Sequence, residues 1–299
     1  MEIIVDNLHK TYPNGTRALA GVTFHLNNSG IFSLIGKNGA GKTTLVRILS
    51  TQLLPTSGIA TINGLDVIED AREIREIISA VPQEARAIPW MTPLQTITSY
   101  LMYRGYTHHE SIDRAKETLR SLGLENVEKI KNRNLSGGQK RKVLVATALA
   151  SEASIIYLDE PTTGLDYISR KELWNLLADL KKKRFILLTT HYLEEAERLG
   201  DIIGIIEKGV MAGFGTLNEL RQLVKYPLSL RIYSGTVSVP DDGSIVEKIS
   251  DSELLVHTSG PIAYDLVEKL ISEKVKFSVQ EASLNTIFAF LASGGEEYD

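Results

Sequence analysis

A glycine-rich loop that joins an apolar strand to a helical segment constrains this chain more than any other feature. Residues 36–44 read GKNGAGKTT and fit the pattern G-x-x-x-x-G-K-T, with the apolar run Ile31–Ile35 before them and a helix predicted over Lys42–Leu54 after them. Glycines allow successive backbone N–H groups to turn towards phosphate oxygens, and the N-terminus of the helix adds a favourable dipole. A chance glycine-rich turn is disfavoured by these flanks. The loop therefore predicts a strand–loop–helix unit that binds a nucleoside triphosphate.

Two side chains of this loop carry specific expectations. Lys42 is expected to reach the β- and γ-phosphates, and the Thr43 hydroxyl is expected to ligate Mg²⁺. The loop residues expected to contact the nucleotide are Gly36, Asn38, Gly39, Ala40, Gly41, Lys42, Thr43 and Thr44.

Two carboxylates end a second apolar strand, predicted over Ile155–Leu158. Asp159 can hold the hydration shell of Mg²⁺, and Glu160 is placed to orient or deprotonate an attacking water. Taken alone, such an acidic strand end can also do no more than cap the following turn. The phosphate loop in the same chain favours a metal-binding role for Asp159 and a catalytic role for Glu160.

A second helix N-terminus suited to anions lies between these two motifs. The run Ser136-Gly137-Gly138-Gln139 opens a helix predicted over Ser136–Ala150, and Ser136 is a good N-cap. N–H groups exposed at this end form a second candidate anion site. A lone run of this kind would be read as an ordinary capped helix, but here it stands between a phosphate loop and a paired-carboxylate strand end.

Alternating strands and helices predict an α/β fold. Nearly continuous apolar strands are typical of a parallel sheet that is covered on both faces. Helical patterns over about 90–150 predict a helical subdomain that precedes the last strands of the sheet. Besides Ile155–Leu158, the predicted elements are the strands Phe185–Thr189 and Ile202–Glu207 and the helices Thr92–Tyr103, Glu110–Leu122, Ser169–Lys182 and Leu193–Leu199.

The pattern changes near Lys225–Pro227, and we expect two domains, 1–224 and 225–299. The C-terminal domain is predicted to be small and α+β. Its predicted elements are the strands Leu228–Tyr233, Leu254–His257 and Lys276–Gln280 and the helices Ile262–Lys274 and Leu284–Ala292. Residues 294–299 form a polar tail that we expect to be disordered.

Composition excludes several classes of protein. A net charge of -4 and a pI near 5.9 argue against a general grip on nucleic acid. The chain has no cysteine, which excludes disulfides and thiolate metal sites and fits a reducing cytoplasm. No apolar run approaches the about 20 residues of a membrane-spanning helix. Met1 leads directly into a strand pattern, so no signal peptide is expected, and any role at a membrane is expected from its surface.

The order and spacing of the phosphate loop, Ser136–Gln139, Asp159–Glu160 and His191 resemble those of the ATP-binding subunits of ABC transporters. The resemblance runs from Met1 to about Arg221. It implies an ABC-type P-loop NTPase domain, with a mainly parallel sheet core, an antiparallel β portion and a helical subdomain, followed by a small accessory domain. It also implies ATP and Mg²⁺ as cofactors.

The resemblance also assigns roles to residues outside the phosphate loop. Gln83 would contact Mg²⁺ and water, and His191 would bind the γ-phosphate; a surface-turn glutamine and a structural histidine are the local alternatives. The implied catalytic residues are Lys42, Gln83, Glu160 and His191, and the implied metal ligands are Thr43, Gln83 and Asp159.

Further implied contacts involve the adenine and a second copy of the chain. Tyr12 would stack on the adenine, although a core or surface tyrosine is the alternative. Ser136–Gln139 would close over the γ-phosphate held by a partner, so that two chains pair head to tail and bury two ATP molecules. Asp166 would link the two sites, although a plain helix N-cap is its alternative.

Within this family, the chain most resembles the ATPases of ABC-2-type exporters, which export drugs and polysaccharides. We therefore expect a peripheral ATPase subunit on the cytoplasmic face of the cell membrane, driving an exporter through an integral membrane permease. The alternative is a soluble ABC ATPase without a transport role, acting on ribosomes or DNA, which the single cassette and the lack of heptads disfavour. The stretches that carry the exporter resemblance are Met91–Leu94, Tyr100–Gly105, Thr190–Glu197 and Gly213–Thr216.

Overall fold

The computed structural model describes residues 1–27, 30–233 and 244–292. Their contacts divide the chain into two compact units, Met1–Phe214 (the large unit) and Gly215–Asp299 (the small unit). The sequence pattern suggested a boundary at 224/225. The division lies earlier because the helix Leu217–Arg221 packs on the last helix of the chain, within the small unit.

The large unit alternates strands with helices, as the sequence predicts. Its strands are β1 Glu2–Thr11, β2 Arg17–Asn27, β3 Ile31–Ile35, β4 Ser57–Ile62, β5 Leu65–Asp66, β6 Ile78–Val81, β7 Ile155–Asp159, β8 Phe185–Thr190, β9 Ile202–Glu207 and β10 Val210–Gly215. Its helices are α1 Lys42–Leu49, α2 Ala71–Ile77, α3 Pro93–Tyr103, α4 His108–Ser121, α5 Gly137–Ala150, α6 Tyr167–Leu180 and α7 Leu193–Leu199.

A six-stranded sheet in the order β10-β9-β3-β8-β7-β6 forms the centre of the large unit. From β9 to β6 all neighbouring strands are parallel. Strands β3, β7 and β8 are buried at every residue, because both faces of the sheet are covered. The predicted parallel sheet is confirmed.

Side chains of this sheet alternate between two hydrophobic cores. Tyr157 and Leu187 face one core, which α1 shares with the antiparallel sheet β2-β1-β4-β5. Ile156 and Leu188 face the other core, which the sheet shares with α3 to α7. The antiparallel β portion and the helical subdomain therefore cover opposite faces of the parallel sheet, and the expected ABC-type fold is confirmed.

Helix α1 is shorter than predicted. It ends at Leu49 instead of Leu54, because Thr51 adopts a left-handed conformation with φ 59°. The N–H of Gln52 bonds back to the Arg47 carbonyl at 2.8 Å, which closes the last turn of the helix.

Two other helices of the large unit begin earlier than predicted, in each case at a side-chain cap. Helix α4 begins at His108, where the Thr107 hydroxyl and the Glu110 carboxylate form a capping box. Helix α6 begins at Tyr167, after Asp166 accepts a hydrogen bond from a backbone N–H of the first turn. In both helices the cap fixes the first turn ahead of the apolar pattern.

The small unit is α+β, as predicted. Its elements are α8 Leu217–Arg221, β11 Leu228–Ile232, β12 Ile245–Ser250, β13 Glu253–Thr258, α9 Gly260–Ser272, β14 Phe277–Glu281 and α10 Leu284–Ala292. The strands form an antiparallel sheet in the order β12-β13-β11-β14, on which α9 packs through a small apolar core that includes Leu266 and Leu270. The predictions missed α8 and β12, and the tail at 294–299 lies outside the described residues.

Among the helices of residues 1–27, 30–233 and 244–292, none has both the length and the apolar character needed to cross a membrane.

Candidate active site

Four neighbouring strands of the parallel sheet deliver the predicted site residues to one edge. The loop that begins at Gly36 follows β3, His191 follows β8, Glu160 follows β7, and Gln83 lies just after β6. The order β3-β8-β7-β6 makes these strands neighbours, and parallel strands share their carboxyl edge. Segments that are far apart in the sequence therefore meet in one cleft.

The phosphate loop is shaped by packing as well as by its expected ligand. A Cβ at Gly36 would lie 2.4 Å from the Ile206 carbonyl oxygen. Gly41 has φ 113°, and a Cβ there would lie 2.6 Å from the Ala18 carbonyl oxygen. Gly41 is also the N-cap of α1 and provides no side-chain hydrogen bond, and the first turn contains no acidic residue. The backbone N–H groups at this helix end are therefore open to an anion.

The side chain of Lys42 folds back into the phosphate loop. Its Nζ donates to the carbonyl oxygens of Gly36 at 2.7 Å and Lys37 at 3.2 Å, and lies 3.9 Å from Oε1 of Glu160. Burial lowers the pKa of Lys42, while the carboxylates of Glu160 and Asp159 act in the opposite direction. The loop thus presents a buried amine beside the Glu160 carboxylate.

The Glu160 carboxylate is the centre of the cluster. Its Oε2 lies 3.1 Å from Nε2 of Gln83, 3.1 Å from the Thr163 hydroxyl and 3.2 Å from Nδ1 of His191. The residue is 6% exposed. The structure therefore gathers Lys42, Gln83 and His191, all predicted from the sequence, around a single carboxylate.

The backbone at Glu160 adopts an uncommon conformation for a non-glycine residue, with φ 49°. Its N–H donates to the carbonyl oxygen of Thr189 at 3.1 Å and to the hydroxyl of the same residue at 3.0 Å. The Thr189 hydroxyl in turn donates to the Asp159 carboxylate. Strand β8 therefore fixes the turn that carries both acidic side chains.

Asp159 and Thr43 present oxygen atoms of the kind that Mg²⁺ prefers. Asp159 is 1% exposed and Thr43 is half-buried. In the part of the chain that the structure describes, no three His, Cys, Asp or Glu side chains form a metal cluster. One carboxylate, a hydroxyl and the Gln83 amide fit Mg²⁺, because this ion usually binds through few protein ligands together with phosphate oxygens and water.

Tyr12 lies beside the far end of the phosphate loop. Its hydroxyl is 3.2 Å from the Thr44 hydroxyl, and the Lys10 ammonium lies 5.6 Å from its ring centroid. The half-buried ring is therefore placed next to the loop by a direct hydrogen bond.

The second predicted anion site lies beside this cluster, since Gly137 lines a cavity together with Gln83 and Glu160. Ser136, Gly138, Gln139 and Asp166 line a cavity of about 440 Å³ that has no residue of the phosphate loop in its lining. Ser136 and Gln139 form a capping box, with the Gln139 N–H donating to the Ser136 hydroxyl at 3.2 Å and the Ser136 N–H donating to Oε1 of Gln139 at 3.0 Å.

Asp166 is the N-cap of α6, which is the alternative role predicted for it from the sequence. It accepts the Ser169 N–H at 3.0 Å and the Ser169 hydroxyl at 2.8 Å, and these hydrogen bonds lower the pKa of Asp166. Asp166 therefore caps α6 and also lines the cavity beside Ser136.

Two buried charged residues at the site were missed by the sequence reasoning. Arg141 lies one turn into α5 and donates to backbone carbonyls around Glu160. Glu195 lies one turn after His191 and is 0% exposed. It accepts from Nε1 of Trp174 at 2.7 Å and from the Thr162 hydroxyl at 3.1 Å, and burial raises its pKa. The available signal was a charged residue at a core-facing position one helical turn from a motif.

The fold and the phosphate loop define a nucleotide-binding protein of the P-loop class. A family model described as ABC transporter matches residues 19–163. Over 223 residues, the chain is 37% identical to the doxorubicin resistance ATP-binding protein DrrA of Mycobacterium tuberculosis. The aligned region covers 74% of this chain and 67% of that protein. The chain belongs to the ABC transporter family, as an ATP-binding cassette.

Other relatives are longer proteins. The chain is 35% identical over 301 residues to ABC transporter A family member 7 of Dictyostelium discoideum. The aligned region covers 95% of this chain but 36% of that protein. For the phospholipid-transporting ATPase ABCA3 of Rattus norvegicus the identity is 35% over 223 residues, which is 74% of this chain and 13% of that protein. The chain thus spans about a third or less of these two relatives.

A solved structure shows the same cassette architecture. It is a dimeric ATP-binding cassette in a post-hydrolysis state, bound to ADP and Pi. The TM-score is 0.66 at 28% identity, and the match covers 72% of this chain and 98% of that one.

Proposed function

We propose that this chain binds and hydrolyses ATP and thereby powers a membrane exporter. The observation that carries the proposal is the convergence of Lys42, Gln83 and His191 on the Glu160 carboxylate, next to an open phosphate-binding helix end. A buried carboxylate with a basic and an amide neighbour suits the activation of a water molecule.

In the proposed reaction, Glu160 takes a proton from the water that attacks the γ-phosphorus, and the bond from the γ-phosphorus to the bridging oxygen breaks. Lys42 and the N–H groups of the loop stabilise the charge that develops on the phosphates. His191 faces Glu160 through Nδ1, so its opposite ring nitrogen is directed elsewhere and can meet the γ-phosphate. Tyr12 would stack on the adenine.

Mg²⁺, when bound, neutralises phosphate charge and orders the water around it. Thr43, Asp159 and Gln83 would hold the ion. Asp159 already accepts from the Thr189 hydroxyl, which orients one of its carboxylate oxygens.

A head-to-tail homodimer would complete the site. Ser136, Gly138, Gln139 and Asp166 line their own cavity, without residues of the phosphate loop. The Ser136–Gln139 helix end, together with Gly137, is therefore proposed to bind the γ-phosphate held by a second copy, with Asp166 linking the two sites. The dimeric state of the solved relative supports this arrangement.

The proposed partner is an integral membrane permease, with this chain peripheral on the cytoplasmic face of the membrane. The names of the relatives, a doxorubicin resistance protein and a phospholipid-transporting ATPase, support an exporter. The small unit is proposed to be an accessory domain of the cassette.

Co-purification from the native cell tests the proposal. The tagged chain is isolated from gently solubilised membranes, and the proteins that accompany it are identified by mass spectrometry. A multi-span membrane protein in near-equal amount is the expected result. Ribosomal proteins or exclusively soluble partners would overturn the exporter assignment and favour a soluble ABC ATPase that acts on ribosomes or DNA.

A further inference from the structure

The Arg141 guanidinium connects two loops of the active site. On the loop after β7 it donates to the carbonyl oxygens of Asp159 at 2.6 Å and Glu160 at 2.9 Å through Nη2, and of Pro161 at 3.3 Å through Nε. On the loop after β6 its Nη1 lies 3.4 Å from the Pro82 oxygen and 3.5 Å from the Gln83 oxygen. The loops that carry Gln83 and Glu160 therefore share one side chain as donor.

The chemistry of the contact requires an arginine. A guanidinium presents five N–H donors in a rigid planar fork, whereas a lysine ammonium has three donors on a single nitrogen. Arg141 is 9% exposed, and burial lowers its pKa while the Asp159 charge acts in the opposite direction. Arginine stays charged under such conditions, so its donors remain directed at the carbonyls.

The contact also acts at the strained turn. Glu160 has φ 49°, a conformation that is strained for a non-glycine residue and persists only where its surroundings fix it. Strand β8 binds the N–H of Glu160, and Arg141 binds the carbonyl oxygen of the same residue at 2.9 Å. The peptide group before Glu160 is thus fixed by β8, and the peptide group after it is fixed by Arg141 of α5.

We propose that Arg141 is a positioning residue that sets the Glu160 and Gln83 loops relative to the N-terminal end of helix α5. This inference rests on the proposed function, because it concerns how Glu160 is aimed. Helix α5 begins at Gly137, one turn before Arg141. A displacement of this helix end by a ligand is therefore transmitted through a rigid fork to the carbonyl groups of the hydrolytic turn.

A second arginine, half-buried, provides a control. Arg184 donates through Nη1 to the carbonyl oxygens of Leu149 at 2.9 Å and Ser151 at 2.7 Å, at the C-terminal end of the same helix. Burial lowers its pKa as it does for Arg141. Arg184 is less buried than Arg141 but makes the same kind of contact, a guanidinium donating to carbonyl oxygens. It contacts neither active-site loop, so it separates positioning from general support of α5.

The test compares Arg141→Lys with Arg184→Lys in the full chain. ATP turnover, KM and the affinity for a fluorescent ATP analogue are measured per nucleotide-binding molecule, below the melting temperature of each variant. We expect Arg141→Lys to lower kcat by about 10- to 100-fold, because small misplacements of a catalytic group have effects of this size. The affinity should change by less than about threefold, since uniform binding is left intact.

A chemical-rescue experiment accompanies the substitutions. Arg141 lines a cavity of about 440 Å³ with Gln83, Glu160 and Thr163, which gives a small guanidinium access to its position. Methylguanidinium should restore part of the turnover of Arg141→Ala and should not stimulate Arg184→Ala. A destabilised but correctly assembled chain would not respond in this way.

Two results would overturn the inference. One is wild-type turnover of Arg141→Lys, and the other is an equal loss of kcat in Arg184→Lys at an equal loss of melting temperature. Glu160→Gln, measured in the same assay, distinguishes this failure from that of the proposed function. If Glu160→Gln is inactive while Arg141→Lys is normal, the positioning role alone is wrong; if Glu160→Gln turns over ATP normally, the catalytic assignment itself is wrong.

Discussion

The large and small units differ in what they bury. The large unit places Lys42, Arg141, Asp159, Glu160 and Glu195 in its interior. Among the described residues of the small unit, Thr258 is the one buried polar side chain, and the core between its sheet and α9 is apolar. Ionisable groups cost free energy when they leave water, and the large unit compensates with hydrogen bonds and opposite charges.

The difference separates activity from ordinary stability. In the large unit, Lys42 and Arg141 both contact the strained turn that carries Asp159 and Glu160, an arrangement that apolar packing alone would not need. In the small unit, burial follows the simple alternation of sheet and helix residues. We therefore expect substitutions in the first group to change turnover, and substitutions in the second to change the stability of one unit.

Glu160→Gln is expected to have the largest effect. Loss of the carboxylate should lower kcat by about 100- to 10,000-fold, the range of general base catalysis. ATP binding should persist, so the variant should accumulate as an ATP-bound dimer that is visible by light scattering. Glu152→Gln is the control, because Glu152 is an exposed carboxylate paired with Arg114. Unchanged turnover of Glu160→Gln would contradict the assignment of the base.

Leu270→Ala should produce the converse result. Leu270 is 0% exposed in the core of the small unit, and truncation of a buried leucine costs about 2–5 kcal/mol. Both tryptophans, Trp90 and Trp174, lie in the large unit. Urea unfolding followed by circular dichroism should show an earlier transition, while tryptophan fluorescence and ATP turnover stay unchanged.

The control for this variant is Tyr264→Ala, on the same helix and 77% exposed. This substitution should leave both the circular dichroism transition and the tryptophan fluorescence transition unchanged. If Leu270→Ala shifts the tryptophan transition as far as the circular dichroism transition, the two units unfold together and the contrast between them fails.

His191→Ala should have the next largest effect. It removes a group that lies 3.2 Å from Oε2 of Glu160 and that is proposed to meet the γ-phosphate. Loss of one such donor lowers turnover by about 100-fold. The control is His25→Ala, since His25 forms a surface pair with Glu2 and exposed pairs contribute little. Equal turnover in the two variants would contradict the role of His191.

The sequence predicts the fold where local signals and tertiary structure agree. The glycine loop, the continuous apolar strands and the end of β7 at Asp159 each carry a local pattern, and the structure places them at one sheet edge. The end of α1 was mispredicted because the left-handed Thr51 has no residue-type signal, unlike a glycine. The edge strand β12, largely exposed, also lacked a clear apolar alternation.

The part of the site that could not be predicted depends on the backbone. Arg141 donates to carbonyl oxygens, which every residue possesses, so no side-chain pattern identifies its partners. Glu195 is matched by Trp174 and Thr162, from two other segments. Only the packing of α6 and α7 against the sheet brings these groups together, whereas the Gln83, Glu160 and His191 loops were marked by their own motifs.

Glu195 provides the smallest and most selective prediction, a change of stability with pH. Burial raises its pKa above the ordinary value of 4.5, outweighing its hydrogen bonds from Thr190, Trp174 and Thr162. The folded state therefore binds the proton more tightly than the unfolded chain. The resulting contribution to stability is complete below the unfolded pKa and is lost as pH rises through the folded pKa.

The Glu195→Gln variant tests this contribution, because a glutamine side chain does not titrate. In urea unfolding between about pH 5 and pH 8, the free energy of unfolding of the variant should rise relative to wild type as pH increases. A constant difference, or one of opposite sign, would show that the buried carboxyl is ionised at no cost and that the contrast between the units does not extend to Glu195.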